Sequence, residues 1–560
     1  MLLKQKIKKT NFFVEPDEIF LDSKNLQNFD RQQFEGRIEK PISKKTIFFI
    51  GIFFLLFLGM FSVRLGYLQI QKGEAYLNRS QNNVLEKQII FSDRGIIYDR
   101  NKVELVWNKK GSDLPTTIRA YLSPGFSHLL GYVSYPMQDK SGNYWQSEFI
   151  GKDGLEKQYN SQLKGENGSK IVEVDARKEI HSENIVNPPL RGIDLTITID
   201  SLIQTELYTL IKNLSQSNSF AGGAGILIDI KNGEILTSVS FPEYDSEILS
   251  LGKDTKKIQS YLNDKRKIFL DRTISGLYTP GSIVKPFLAI GALVENVIDP
   301  YKKILSTGSI FIPNPYFPDQ KTVFKDWKAH GWTDMRQALA VSSDVYFYEI
   351  GGGFEGQKGL GIANIEKYAK LFGIGEKTGI DLPDEKGGII PSPLWKAKNF
   401  KGEPWNIGNT YHTAIGQYGF QVTPMEMARA ISAVANYGSL ITPHYILGDA
   451  EKEKGISNVN LKKEYFDVVH EGMRQSVLFG TSTLLNVPYV KVAAKTGTAQ
   501  LGVNKNKVNS WIIGFFPYEN PKYAFTIMME AGPSSNSIGA SSIMRQLLDW
   551  MSINTSQYFK

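Results

Sequence analysis

Eighteen consecutive residues, TIFFIGIFFLLFLGMFSV from Thr46 to Val63, carry no charge and are almost wholly apolar. A helix of that length lies just within the roughly 17–25 residues needed to cross a bilayer. Lys40, Lys44 and Lys45 precede it, while Arg64, Lys72 and Arg79 follow more sparsely. That bias places the N-terminus in the cytoplasm and the long C-terminal part outside. No small-x-small cleavage pattern follows, and FSVRLGYLQI continues as a helix, so the run reads as an uncleaved signal anchor. With no cysteine in the chain, disulfides, Cys-based zinc sites and thiol catalysis are excluded.

The anchor divides the sequence. Residues 1–45 are a polar, mixed-charge cytoplasmic tail, and 46–66 the membrane helix. Residues 67–200 alternate short strand-like runs with turn signals, as in IIFSDRGIIYDRN (Ile89–Asn101) and SKIVEVDARKEI (Ser169–Ile180), and read as an extended β-rich module near the membrane. DLTITID (Asp194–Asp200) alternates as a strand and hands over to the helix SLIQTELYTLIKNL. Residues 201–560 then carry an α/β (α+β) pattern. AGILIDI and EILTSVSF are strands joined through Lys231-Asn232-Gly233, a helical middle follows, and VKVAAKTGTAQ, SWIIGFFP and YAFTIMMEA are three further strands before a final helix, SIMRQLLDWM. Strands at both ends with helices between predict one antiparallel sheet against a helical half, with a cleft between. The net charge of +8 is spread along the chain, without a basic helix or an aromatic-interleaved basic patch, so nucleic acid is not a predicted partner; a modest attraction to anionic lipid or polymer is.

Three short motifs share this last domain. In YTPGSIVKP, Ser282 and Lys285 stand three residues apart at the head of the apolar run FLAIGALVENV, close enough to touch on a helix. A lysine entering a core is costly unless its charge is paired or its pKa falls, and such a lysine beside a hydroxyl is what a nucleophilic serine needs. VSSDVYF places Ser342 and Asp344 at the start of an amphipathic helical stretch. KTGT places Lys495, Thr496, Gly497 and Thr498 on a strand, where charge, hydroxyls and a glycine that admits a substrate backbone would suit a carboxylate. Gly351–Gly361 is glycine-rich, but Gln357 stands where a phosphate-binding loop has lysine, so it reads as a flexible loop. Asp326, His330 and Asp334 lie close in sequence, yet without a second histidine nearby they read as a surface loop, and no metal or other cofactor is expected. The remaining histidines, His128, His181, His412, His444 and His470, read as structural.

Ser-x-x-Lys, Ser-x-Asp and Lys-Thr-Gly in this order resemble the Ser-x-x-Lys, Ser-x-Asn and Lys-Thr-Gly set of penicillin-binding proteins and serine β-lactamases. RGIIYDRN, GKDGLEKQYN, FPEYD, AIGQYGFQVTP, VANYG and EGM also look like class B penicillin-binding proteins, and FKDWKAHGW (Phe324–Trp332) with the Ser-x-Asp form looks like the elongation-type penicillin-binding protein 2 group. The resemblance covers nearly everything after the membrane segment. It implies a pedestal (dimerisation-type) domain over 67–200, a transpeptidase domain over 201–560, and a DD-transpeptidase that cross-links peptidoglycan stem peptides through an acyl-enzyme and is inhibited by β-lactams. On these residues it implies that Ser282 attacks, Lys285 takes its proton, Ser342 relays a proton to the leaving amine, Lys495 tunes the site, and Asp344, Thr496, Gly497 and Thr498 bind substrate. The N–H groups of Ser282 and Thr498 would form the oxyanion hole. A SEDS-type glycan polymerase and other elongation machinery are the implied partners. A carboxypeptidase or β-lactamase, in which water replaces the acceptor amine, and a non-catalytic penicillin sensor or scaffold are the alternatives. Asp344 departs from the asparagine of many relatives: ionised, it accepts from Lys285 but cannot donate to a substrate carbonyl. Tyr418 precedes Gly419 where many relatives have the glycine first.

Overall fold

The computed structural model describes residues 43–111, 116–174, 180–314, 317, 319–448 and 455–559. The expected cytoplasmic tail, apart from its last three residues, lies outside them, as do Asp175–Lys178 and Glu179 of the second strand-like run. The chain divides into two units, residues 1–86 with 173–181, and residues 87–172 with 182–560.

The first unit contains helix α1, Lys44–Gly66, capped by the Ser43 hydroxyl, which accepts from the Thr46 N–H at 3.1 Å. No residue of α1 is buried, and with the turn that follows it forms the one helix among the described residues long and apolar enough to cross a membrane.

The N-terminal part of the second unit holds a small sheet of β1 (Ile97–Tyr98), β2 (Glu104–Lys109), β3 (Ile118–Tyr121) and β4 (Leu195–Thr196), in the order β4-β1-β2-β3. The strand expected over Asp194–Asp200 is shorter than its alternation suggested. Beyond Thr196 the chain makes one bridge, Ile197 to Ile446, and then runs into a helix cap. Beneath the small sheet, Glu156 accepts from Arg94 Nε at 2.5 Å and from Arg119 Nε at 2.8 Å, all three fully buried.

Asp200 caps helix α2 (Ser201–Ser217), its carboxylate accepting from the N–H groups of Leu202 and Ile203. Next come β5 (Gly222–Asp229) and β6 (Ile235–Phe241), turned by Asp229 and Asn232 side chains that accept from the Lys231 and Glu234 N–H groups. Helix α3 is Lys285–Val294, α4 Met335–Val341, α5 Asp344–Gly352, α6 Pro424–Ala435 and α7 Lys463–Leu478; β7 is Ala493–Leu501, β8 Lys507–Phe516, β9 Tyr523–Pro533, and α8 Ala540–Asn554. The five long strands form one antiparallel sheet in the order β6-β5-β9-β8-β7. Alternation sorts its residues into two cores. Ile226, Ile228, Trp511, Ile513 and Met528 face the helical half with α3, α5 and α6, while Leu227, Ile512, Phe525, Ile527 and Met529 pack with α2 and α8. The sheet-and-helices architecture therefore matches the expectation, and β7 is an edge strand beside the helical half.

Two local readings are corrected. Helix α5 is buried nearly all round instead of amphipathic, because it is sunk in the helical core. The glycine-rich segment after it is pinned: Gln357 Nε2 donates to the carbonyls of Val297 (2.9 Å) and Lys358 (2.8 Å).

Candidate active site

Ser282 lies in a 3-10 turn, Gly281–Val284, that feeds directly into α3 at Lys285. In such a turn, residues three apart eclipse, so the serine and the lysine share one side. The tight entry needs glycine: Gly281 has φ +60°, and a Cβ there would meet the Thr498 carbonyl oxygen at 3.0 Å. Across the contact, a Cβ on Gly497 would come within 2.8 Å of Ile283 Cγ2 and 2.9 Å of the Pro280 oxygen. Gly497 is thus required for the serine-bearing turn to lie flat on β7, which corrects the expectation that it clears space for substrate.

Ser342 occupies the turn between α4 and α5 in the left-handed conformation, φ 59° and ψ 41°. A non-glycine residue holds that conformation at a cost of about 1–3 kcal/mol unless its surroundings impose it. Here they do. The Asp326 carboxylate accepts from Ser343 Oγ at 2.9 Å, from the Val345 N–H at 3.0 Å and from Ser306 Oγ at 3.2 Å, while Trp327 Nε1 donates to the Val341 carbonyl at 3.3 Å. Ser343 in turn caps α5 through the Tyr346 N–H. The surface loop expected over Asp326–Asp334 is therefore a buried brace at its first residue, because the hairpin preceding it tucks the carboxylate under the turn. The acids do not gather: His330 Nε2 lies 3.4 Å from Asp326, but Asp334 instead caps α4 in a capping box with Gln337.

The two lysines meet at Ser342. Lys285 Nζ donates to the Ser342 carbonyl (3.0 Å), to Asp344 Oδ1 (2.6 Å) and, longer, to Ser342 Oγ (3.4 Å), and it lies 5.2 Å from the centre of the Phe347 ring. None of these bonds reaches Ser282. From β7, Lys495 Nζ donates to Ser342 Oγ at 2.7 Å and to the Thr496 carbonyl at 2.8 Å. Both lysines are fully buried. Burial first, and the neighbouring Lys285 charge second, push the Lys495 ammonium well below the usual lysine range, with Asp344 opposing. Lys495 is thus biased toward the neutral amine, while Lys285 is ion-paired.

Thr496 Oγ1 donates to Thr481 Oγ1 at 2.6 Å, and Thr498 is exposed. Of the eight expected residues, Lys285, Ser342, Asp344 and Lys495 form one hydrogen-bonded cluster. Ser282, Gly497 and Thr498 line the adjoining contact between turn and strand. Asp326, Ser343, Gly281 and Thr481 were missed by sequence reasoning. Asp326 alone left a signal, since it lies in the FKDWKAHGW run, but its burial depends on strand pairing that no local pattern displays.

Chemically, the cluster offers a hydroxyl at the head of a buried helix, a lysine–serine–lysine path for a proton, and the free edge of a strand. Residues 223–549 match the penicillin-binding protein transpeptidase domain, and residues 114–197 the penicillin-binding protein dimerisation domain. The chain is 31% identical to the peptidoglycan D,D-transpeptidase MrdA of Haemophilus influenzae over 462 residues, covering 76% of this chain and 67% of that protein. It is 27% identical to MrdA of Escherichia coli over 618 residues, covering 91% and 94%. Its fold is similar to that of PBP2 in a complex with MreC from Helicobacter pylori, at TM-score 0.69 and 28% identity, over 85% of this chain and 99% of that one.

Proposed function

The chain belongs to the penicillin-binding protein transpeptidase family, in its class B PBP2 branch, and from that premise we propose how its residues divide the work. The protein is a serine-type peptidoglycan D,D-transpeptidase of the cell-elongation type. The observation that carries the residue assignment is the convergence on Ser342 Oγ of two buried lysines, 57 and 153 residues away in sequence.

Ser282 Oγ attacks the carbonyl of the penultimate D-alanine of a donor stem peptide. Lys285 can accept the serine proton only after releasing one of its own, because its nitrogen is already a donor in the ion pair with Asp344. The route is short: a proton passes from Lys285 through Ser342 Oγ to the neutral amine of Lys495. The tetrahedral oxyanion sits toward the Ser282 and Thr498 N–H groups. When the carbon–nitrogen bond breaks, Ser342 gives its proton to the departing D-alanine and is refilled from Lys495. An acceptor amine then attacks the ester; its proton leaves by the same path, Ser282 recovers its hydroxyl, and the cross-link is made. Asp344 keeps charge on the lysine pair, and the free edge of β7 with Thr496 and Thr498 aligns the peptide.

The chain fits a single-pass membrane protein anchored by α1, with its N-terminus in the cytoplasm and the catalytic part outside. Its partners belong to the elongation machinery, a reading supported by the MreC complex of the H. pylori relative. A SEDS-type glycan polymerase, touched by the anchor and the membrane-proximal module, is the specific partner inferred. Co-purification with the full chain, lost when a foreign anchor replaces α1, tests it. For the chemistry, intact-mass analysis with peptide mapping after penicillin treatment is expected to place one long-lived adduct on Ser282. An adduct that survives Ser282→Ala overturns the assignment, and rapid release of the adduct favours the hydrolase alternative.

A further inference from the structure

Beside the catalytic turn, two short antiparallel strand pairs, one nested within the other along the chain, turn one side inward and leave the other bare. Strands Ile304–Ser306 and Gly331–Thr333 set Leu305 opposite Trp332, and strands Ser309–Pro313 and Lys321–Lys325 set Phe311 opposite Val323. Ile304, Ile310 and Phe324 fill the core, while Leu305, Phe311, Val323 and Trp332 are exposed on the other side of the pleat, Trp332 at 63%, and Trp327, in the bend between Lys325 and Gly331, is exposed at 56%. Aromatic and apolar side chains gathered in the open mark a binding surface. The charge is one-sided as well. Across residues 301–333, Lys302, Lys303, Lys321, Lys325 and Lys328 are exposed, against one exposed acid, Asp319, since Asp326 is buried. Lys321 Nζ lies 4.1 Å from the centre of the Phe311 ring and Lys328 Nζ 4.7 Å from that of Trp327. This is an aromatic-interleaved basic patch that the sequence did not reveal, because the interleaving runs across strands. It is fixed to the catalytic turn through Trp327, whose indole holds the carbonyl next to Ser342, and through its neighbour Asp326.

We propose that this face docks the peptidoglycan strand that carries a reacting stem peptide. The C–H faces of the amino sugars lie on Trp327 and Trp332, and Lys321, Lys325 and Lys328 meet the carboxylates of the peptides. The inference rests on the proposed function and gives that function a substrate-positioning surface outside the reacting centre. Flat, polarisable indoles suit pyranose faces, and lysines on flexible stems suit carboxylates spaced along a mobile polymer.

The test uses the full chain in nanodiscs, with Trp332→Ala and, separately, the triple change Lys321→Gln, Lys325→Gln, Lys328→Gln. Fluorescent penicillin carries neither a glycan nor a chain of peptide carboxylates for the face to hold, so its acylation rate is expected to stay within about twofold. Binding of soluble, uncross-linked peptidoglycan strands is expected to weaken about tenfold in each variant. Strands stripped of peptides by an amidase should still register the loss in Trp332→Ala, but not in the lysine triple. Strand binding unchanged in both variants overturns the proposal. So does strand binding unchanged together with loss of a co-purifying membrane protein, which would make the face a protein-docking site. An equal fall in penicillin acylation and strand binding also overturns it, since the face would then be merely structural. Failure of the wild-type chain to form an adduct on Ser282 would instead strike the proposed function, and the strand-binding arm would still read the face.

Discussion

Two buried ionic clusters in this molecule have the same formal inventory, two basic side chains and one carboxylate, and opposite consequences. Near the four-stranded sheet, Arg94 and Arg119 flank Glu156; beside β7, Lys285 and Lys495 flank Asp344 and Ser342. Burial raises the Glu156 carboxyl, but the Arg119 and Arg94 charges outweigh it and hold the carboxyl below its usual range. The guanidinium donors are used up as well: Arg119 Nη2 bonds the Gly95 carbonyl at 2.6 Å and Arg94 Nη2 the Glu156 carbonyl at 2.9 Å. Arginine cannot give up its proton in a protein, so this cluster only braces. Lysine can, and beside β7 desolvation pushes Lys495 toward the amine. The kind of cation, not the count of charges, separates a fixed brace from a cluster able to pass a proton.

The largest expected effect comes from removing the proton path while sparing the packing. Lys495→Met should slow penicillin acylation by about 10²–10⁴-fold, since one positioned acid–base group supplies about that much. Its melting temperature should hold or rise, because a lysine buried here must either keep a desolvated charge or give up its proton, and both are costly. Acylation within tenfold of the wild type would remove Lys495 from the path. The mirror experiment is Glu156→Gln, which strands two buried guanidiniums and should cost about 3–5 kcal/mol in denaturant unfolding, with acylation of the folded protein nearly unchanged. A parallel loss of acylation would show that the brace also shapes the cleft.

A smaller effect separates the clusters by pH. Protonating Lys495 removes the acceptor, so acylation should be full above its lowered pKa and fall as pH drops through it, well below the ordinary lysine range. The Asp344 charge raises the Lys495 pKa, so Asp344→Asn should move that acid limb to lower pH. A limb that stays in place, or moves up, breaks the scheme. Smallest is Asp326→Asn, which weakens the acceptor for Ser343 and Val345. It should cost about 1–3 kcal/mol of stability and slow acylation while leaving the pH limb where it was, the mark of a positioning residue.

Much of the fold was legible locally. The apolar helix α1 follows from an uninterrupted apolar run, the β5–β6 turn from Lys231-Asn232-Gly233, and strand β7 from a stretch rich in Val, Ala and Thr around Lys495. The chemistry of Ser282, Lys285 and Lys495 was suggested by three motifs standing together in one order within one domain, each of which alone has an ordinary structural reading. Asp326 was misread, and Gly497 was given the wrong neighbour, for one reason: each is defined by what the rest of the chain lays against it.

By itself, then, the order of residues determined which groups could react and which segment could lie in lipid, since those depend on side-chain chemistry and hydrophobic length. Only the tertiary structure decided that Lys495 is the lysine pushed toward the neutral amine, that Ser342 is held left-handed, and that a lysine-rimmed aromatic face adjoins the turn that carries Ser342. Burial and through-space charge depend on distances between residues far apart in the chain, and folding alone sets those distances.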